Sequence, residues 1–394
     1  MADRRVRIVV QFIFENEGAK ASSFCFHTMN SDILQHSYDA RRQRLRSKFG
    51  RKNISALLVT SLPNISYLTG FHGSAGVALV GTSKTILWVD PRYTLQAAEQ
   101  AAGIEVIEVK HGLLKQAAGW LRKERIGHVG YDDATLTCRA FAGLQKAGGP
   151  KVHWVAAGGL VEDLRTVKDP TEIEWIRKAG ELTAQVFEEI RGKIRPGVRE
   201  SDLAAEIEYR MKRKGADGVA FETIVASGER TAWPHAHPTA KLLKENDLVI
   251  VDLGAILGGY AADMTRTVYL GKPSARIRTL YNKVREAQER ATQVAVQGRL
   301  TGDVDATARR VLRSSKLEQS FTHSTGHGVG LEIHELPHVS RGDKSRLRKG
   351  CVITVEPGVY LEGFGGVRIE DTVLVTDSGP EVLTPATKDA WFTG

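Results

Sequence analysis

Two glycine turns, each flanked at matched distances by a pair of acidic residues, constrain this chain more than any other feature of its sequence. Asp252 ends the apolar run 248–251 and Asp263 follows Gly258-Gly259-Tyr260, so their midpoint falls between Leu257 and Gly258. A hairpin folded there sets the two aspartates directly opposite each other on one face. The pattern recurs downstream, where Glu356 ends the run 351–355, Glu370 follows 367–369, and their midpoint is Gly363. Like charges facing across a sheet are destabilising, and carboxylates held that way share a cation or a proton. His327, in the loop Thr325-Gly326-His327-Gly328-Val329-Gly330, adds an imidazole. Four carboxylates and one imidazole suit Mn, Co, Fe or Zn rather than a thiolate site. Five side chains fill two coordination spheres only if carboxylates bridge, the usual layout of a two-metal hydrolase. Taken singly, each acid reads as a turn former, a cap or a solvated strand face. Together, on mirrored hairpins with apolar flanks, they do not read as surface.

Four more histidines lie near these segments. His235 and His237 sit in the proline-bounded loop Trp233-Pro234-His235-Ala236-His237-Pro238, while His323 and His334 flank His327. Imidazoles beside a hydrolytic metal shuttle protons or donate to a developing oxyanion. That reading is preferred for His235 and His334; for His237 and His323, satisfying a loop backbone group competes evenly. Arg368, two residues before Glu370, is placed to orient a carboxylate ligand, with an ordinary cross-strand ion pair as the alternative.

At 394 residues the chain is long enough for two domains. Three widely spaced cysteines, Cys25, Cys138 and Cys351, fit a reducing, cytoplasmic setting rather than a disulfide framework. No apolar run has the length of a membrane span. Much of the net charge of +9 comes from basic residues in 41–52 and 341–349, which no aromatic residues interleave. A solvated helix face is expected there, and no nucleic acid. Residues 1–28 begin with a weakly apolar stretch broken by Arg7 and Gln11, too poor for a signal peptide. They are expected to be an upstream extension, with Met29 as an alternative start.

Residues 29–160 alternate helix and strand patterns: a basic helix over 37–49, strands at 56–60, 77–80 and 85–89, and helices over 92–102 and 112–125. An α/β domain is expected. A second domain, 161–394, opens on Asp169-Pro170 with Glu172 three residues after the cap, a capping-box signature. Helices near 201–214, 274–297 and 303–315, set apart from antiparallel hairpins, describe an α+β domain. The paired hairpins hint at an internal duplication.

Several of these motifs together resemble a known family. Asp252-Leu253-Gly254, Asp263-Met264-Thr265-Arg266-Thr267, 325–330, Val355-Glu356-Pro357-Gly358 and Arg368-Ile369-Glu370-Asp371 are similar to those of the Xaa-Pro peptidases with the pita-bread fold. That group includes aminopeptidase P and prolidase. The resemblance runs over about 37–394 and takes in Tyr67-Leu68-Thr69-Gly70-Phe71 and Val89-Asp90-Pro91-Arg92-Tyr93 of a creatinase-like first domain. It implies a pair of divalent metals, manganese in the first place and cobalt or zinc as alternatives. Asp263 and Glu370 would bridge them, Asp252 would complete one site, and His327 with Glu356 the other. Glu356 would also transfer protons, and His235 and His334 would position substrate and stabilise the tetrahedral intermediate. His323 would be auxiliary, with Thr265 and Arg368 as supports behind the ligands. The implied substrates are peptides with proline in second position, and the implied assembly is a homodimer or homotetramer. An aminopeptidase acting before proline is the leading expectation, a strict Xaa-Pro dipeptidase the alternative, and a noncatalytic binding module the alternative of another class.

Overall fold

The computed structural model describes residues 31–101, 103–389 and 391–392. The extension read over 1–28, the start at Met29 and Cys25 lie outside the described residues. The first part of the chain builds a six-stranded mixed sheet in the order β4-β3-β2-β1-β5-β6. Its strands are β1 (Ala56–Val59), β2 (Val77–Gly81), β3 (Thr85–Val89), β4 (Glu105–Glu108), β5 (His128–Tyr131) and β6 (His153–Ala156). Strand residues alternate between its two faces. Leu57, Val59, Ala78, Val80, Leu87 and Val89 meet helices α1 (Ser31–Arg46), α3 (Leu62–Thr69) and α7 (Leu160–Arg165). Ala56, Leu58, Val77, Leu79, Ile86 and Trp88 meet α5 (Leu113–Lys123) and α6 (Cys138–Gly148) on the other face. Both faces are covered, which explains why these strands read as continuous apolar runs. The basic helix expected over 37–49 starts earlier and breaks at Ser47-Lys48, with a short α2 (Phe49–Lys52) following. The helix expected over 92–102 is a 3-10 turn, Pro91–Tyr93, running into α4 (Thr94–Gln100).

Helix α8 (Pro170–Ile190) opens the second part. Asp169 accepts from the Glu172 N–H and Glu172 accepts from the Asp169 N–H, completing the capping box. Helix α9 (Glu200–Arg213) follows. Their apolar stripes pack on β8 (Ile224–Ser227), β9 (Leu248–Leu253) and β12 (Met264–Leu270). The order then repeats. Helices α10 (Ala275–Gln293) and α11 (Thr301–Arg313) are followed by β13 (Gly326–Gly328) and β14 (Glu335–Val339), and then by β15 (Val352–Val355) and β18 (Asp371–Thr376). Ile353, Val355, Val373 and Val375 face this second helix pair. Strands β13–β15 and β18 form one sheet with β19 (Gly379–Val382); β8, β9 and β12 form another with β20 (Trp391–Phe392).

Each long hairpin changes sheet partway. Beyond β9 and β12 the ribbon continues as β10 (Ala255–Leu257) and β11 (Tyr260–Ala261), joined with β7 (Gly218–Val219). Beyond β15 and β18 it continues as β16 (Gly358–Leu361) and β17 (Gly365–Arg368). In the second ribbon Val355 pairs with Asp371 and Gly358 with Arg368, a register that sets Glu356 against Glu370 as expected. The first ribbon departs from expectation. Leu257 pairs with Tyr260 and Asp252 with Thr265, so the turn centres on Gly258-Gly259 and the aspartates are diagonal rather than opposite. Both glycines have positive φ, 58° and 79°, as a two-residue hairpin turn of this hand demands. A slip of two positions keeps a side chain on its face, whereas a slip of one would reverse it. The shared face therefore survives the error in register. No helix among the described residues is long and apolar enough to cross a membrane.

Candidate metal centre and active site

The acids occupy the seams where each ribbon changes sheet, on the faces turned away from the helix pairs. One ligand atom from each of Asp263, His327 and Glu370 lies within 4.8 Å of the others. Glu356 joins them, its Oε1 3.4 Å from His327 Nε2, and Asp263 Oδ2 is 3.7 Å from the same nitrogen. Asp252 reaches the group through Arg368, whose Nη2 donates to Asp252 Oδ2 at 2.6 Å.

Each group is held from behind. Thr265 Oγ1 donates to Glu370 Oε2 at 2.6 Å and accepts from Arg368 Nε at 3.1 Å. Thr354 Oγ1 accepts from the His327 N–H and donates to Glu356 Oε1. Thr372 bonds both the N–H and the carbonyl of Asp263. His327 Nδ1 donates to the Gly328 carbonyl at 3.0 Å, which leaves the Nε2 lone pair facing the carboxylates. Burial lowers its pKa to about 4, so the ring is neutral. A neutral imidazole fixed through one nitrogen is the usual state of a metal ligand.

The carboxyls show what the cluster lacks. Burial, with Asp252 and Glu356 adding, pushes Asp263 well above the usual range. Burial, with Asp263 and Glu356 adding, does the same to Glu370. Glu356 is pushed up to about 7 by burial and by Asp252, against the pull of Arg368. Asp252 Oδ1 and Glu370 Oε1 are buried with no hydrogen-bond partner, while the other oxygen of each is held. Four carboxylates against one guanidinium, with two buried oxygens left without a partner, fit divalent cations.

The histidines divide. The His334 ring centroid is 4.4 Å from that of His327, at the open side of the cluster. His235 is exposed and close enough to His334 and His323 to lower the basicity of both, after burial. His323 is built in: Nδ1 donates to the Ser324 carbonyl and Nε2 accepts from Tyr360 Oη at 2.9 Å. Tyr360 in turn accepts from Arg368 Nη1 at 2.8 Å. His237 does not join them; its ring is largely exposed and meets Glu222 at 2.9 Å. Its role as a substrate-facing group has no support in this geometry.

Several functional residues escaped the sequence reading. Tyr360 joins Arg368 to His323. Glu200, fully buried, accepts from the N–H and hydroxyl of Ser227, from Arg230 Nε, and from the N–H and hydroxyl of Thr239, closing the loop that carries Trp233 and His235. One signal was available for Thr354 and Thr372, which also escaped the sequence reading: like Thr265, each stands two residues from an acid, on the same strand face.

Residues 174–377 match the model of metallopeptidase family M24, and residues 41–167 that of the creatinase/prolidase N-terminal domain. A Xaa-Pro dipeptidase of Pyrococcus horikoshii is 35% identical over 339 residues, covering 86% of this chain and 95% of that protein. Among solved structures, the Xaa-Pro dipeptidase from Bacillus anthracis matches with a TM-score of 0.87 at 36% identity, over 90% of this chain and 100% of its own. The X-Pro aminopeptidase from Thermotoga maritima matches at 0.82 with 36% identity, over 90% and 100%.

Proposed function

Because this chain belongs to metallopeptidase family M24, with a creatinase/prolidase N-terminal domain ahead of the catalytic one, we propose that it is a metal-dependent peptidase cutting the bond before a proline in second position. The fold is the creatinase-like α/β domain followed by the α+β pita-bread domain. The observation that carries the reading is the cluster itself, and within it the two buried, unpartnered oxygens of Asp252 and Glu370. Two divalent ions, manganese before cobalt or zinc, fit this donor set; when bound they supply a nucleophile at neutral pH and polarise the scissile carbonyl.

The chain's own residues do the rest. Asp252, Asp263, His327, Glu356 and Glu370 would hold the ions, with Asp263 and Glu370 as the shared ligands. Glu356 would take and return the proton as the peptide bond breaks. His334 and His235 flank the open side, where their imidazoles bind the substrate carbonyl and support charge developing on its oxygen. Arg368 and Thr265 hold Asp252 and Glu370 in line, and His323 with Tyr360 braces Arg368. Homodimers or homotetramers, and a cytoplasmic setting for the unpaired Cys138 and Cys351, belong to the same reading.

Chelation followed by manganese or cobalt return is the test. Activity on Xaa-Pro peptides should vanish and come back; full activity in verified metal-free protein would sink the reading. A panel of Xaa-Pro and Xaa-Pro-Xaa peptides separates the leading aminopeptidase from a strict dipeptidase, which must reject the longer set. Relatives of both names make that comparison necessary.

A further inference from the structure

Two buried cations from outside the metal cluster converge on one carboxylate beside His334. Arg165 ends α7 and Lys168 lies in the link to α8; their side chains are 2% and 0% exposed. Arg165 Nη2 bonds Glu335 Oε1 and, at 2.7 Å, Glu332 Oε2. Lys168 Nζ is 3.2 Å from Glu335 Oε2. Glu335 Oε1 also accepts from the Glu332 N–H at 3.0 Å, so one carboxylate folds the segment 332–335 back on itself. On the other side it lies against the backbone just after β13, where a Cβ at Gly330 would come within 2.6 Å of Glu335 Oε2. The guanidinium is itself anchored in the first domain, since Arg165 Nη1 donates to Asn64 Oδ1 at 2.8 Å.

Burying such a group is a poor way to gain stability, because desolvation consumes most of the Coulombic attraction. Direction is what it provides. Burial opposes ionisation of Glu335, but Lys168 and Arg165 outweigh it and hold the carboxyl below its ordinary range. It therefore stays charged and keeps its geometry. Glu335 is buried while the adjacent His334 is exposed, so the bend at 331–334 sends the two side chains to different environments. Fixing the first side chain aims the second.

We propose that Glu335, clamped by Arg165 and Lys168, is a positioning residue that sets the His334 imidazole at the mouth of the site. The first domain then takes part in catalysis without touching substrate. The inference rests on His334 acting on substrate, and the test keeps the two ideas apart.

The full-length, zinc-loaded protein is used, with histidine rings carbon-13 labelled and His334 assigned by its loss in His334→Ala. In Glu335→Gln the His334 resonance should shift or broaden while that of His235 stays. With a Xaa-Pro peptide, kcat should fall about 10- to 100-fold with KM and bound metal unchanged, the scale of a small misplacement near the chemistry. Placed in the His334→Ala background, Glu335→Gln should cost nothing further, because groups acting through one another are non-additive. An unmoved His334 resonance, a further loss in the double variant, or an effect confined to KM or metal content overturns the proposal. Should His334→Ala itself retain full activity, the catalytic reading of His334 fails instead, and the resonance alone decides the clamp. If Glu335→Gln does not fold, Lys168→Met, which leaves Arg165 on the carboxylate, takes the same measurements with a smaller expected loss.

Discussion

Thr265 shows how much a single hydroxyl controls. It donates to Glu370 and accepts from Arg368, so the placement of both depends on it. Thr265→Val, nearly the same shape, should weaken metal binding about 10- to 100-fold, as loss of outer support at metal sites does; titration of stripped protein with manganese checks this. The raised carboxyls of Asp263, Glu370 and Glu356 make a second prediction. In the metal-free fold they keep protons that the unfolded chain, with carboxyls near about 4, has already released. Stability from these groups is fullest below the unfolded value and is lost as pH rises through the folded one, about 7 for Glu356. The Tm of stripped protein should therefore fall from about pH 5 to about pH 7, while the increase on adding manganese grows over the same range as protons are displaced. A stripped protein that gained stability over that window would contradict the assignment of these shifts.

At the scale of elements, the loop between β8 and β9 depends on Glu200. Five donors from Ser227, Arg230 and Thr239 end on its carboxylate, and none is replaced if the charge goes. Glu200→Gln should cost about 1–3 kcal/mol, the scale of leaving buried hydrogen-bonding groups unsatisfied. It should lower Tm and raise KM through His235 while bound metal stays the same; calorimetry and steady-state kinetics read both. Much of the architecture was legible locally, because the information is local. Asp169-Pro170 and Glu172 announce α8, continuous apolar runs announce β1–β3, and mirrored acids around glycine announce the ribbons. The register of the first ribbon was misread because midpoint counting placed the turn one residue early. Gly258-Gly259 held the correction, as paired glycines with positive φ prescribe a two-residue turn. Glu335 and its partners were not legible at all. Arg165 lies 170 positions away and Lys168 167, and no local pattern encodes a pairing at that range.

On the scale of the whole molecule, the first domain is tied to the catalytic one by more than the chain. Arg41 of α1, 3% exposed, donates to Asp169 Oδ2 at 2.9 Å and sits 3.7 Å from Glu172, so it grips the capping box of α8. It also donates to the Tyr67 carbonyl and lies over the Tyr67 ring. Parent protein should unfold in one calorimetric transition. Arg41→Met should lose about 3–5 kcal/mol, the cost of breaking a buried pair from one side, and should split that transition in two. A single, unshifted transition in the variant would show that the domains are coupled elsewhere. The repeated order of helix pair and ribbon has a further consequence for how the protein is made. Asp252 and Asp263 leave the ribosome long before Glu356 and Glu370. Neither half can capture a cation pair by itself. Which ion is taken up is thus settled only once the two ribbons have met, by whatever the surrounding pool then offers.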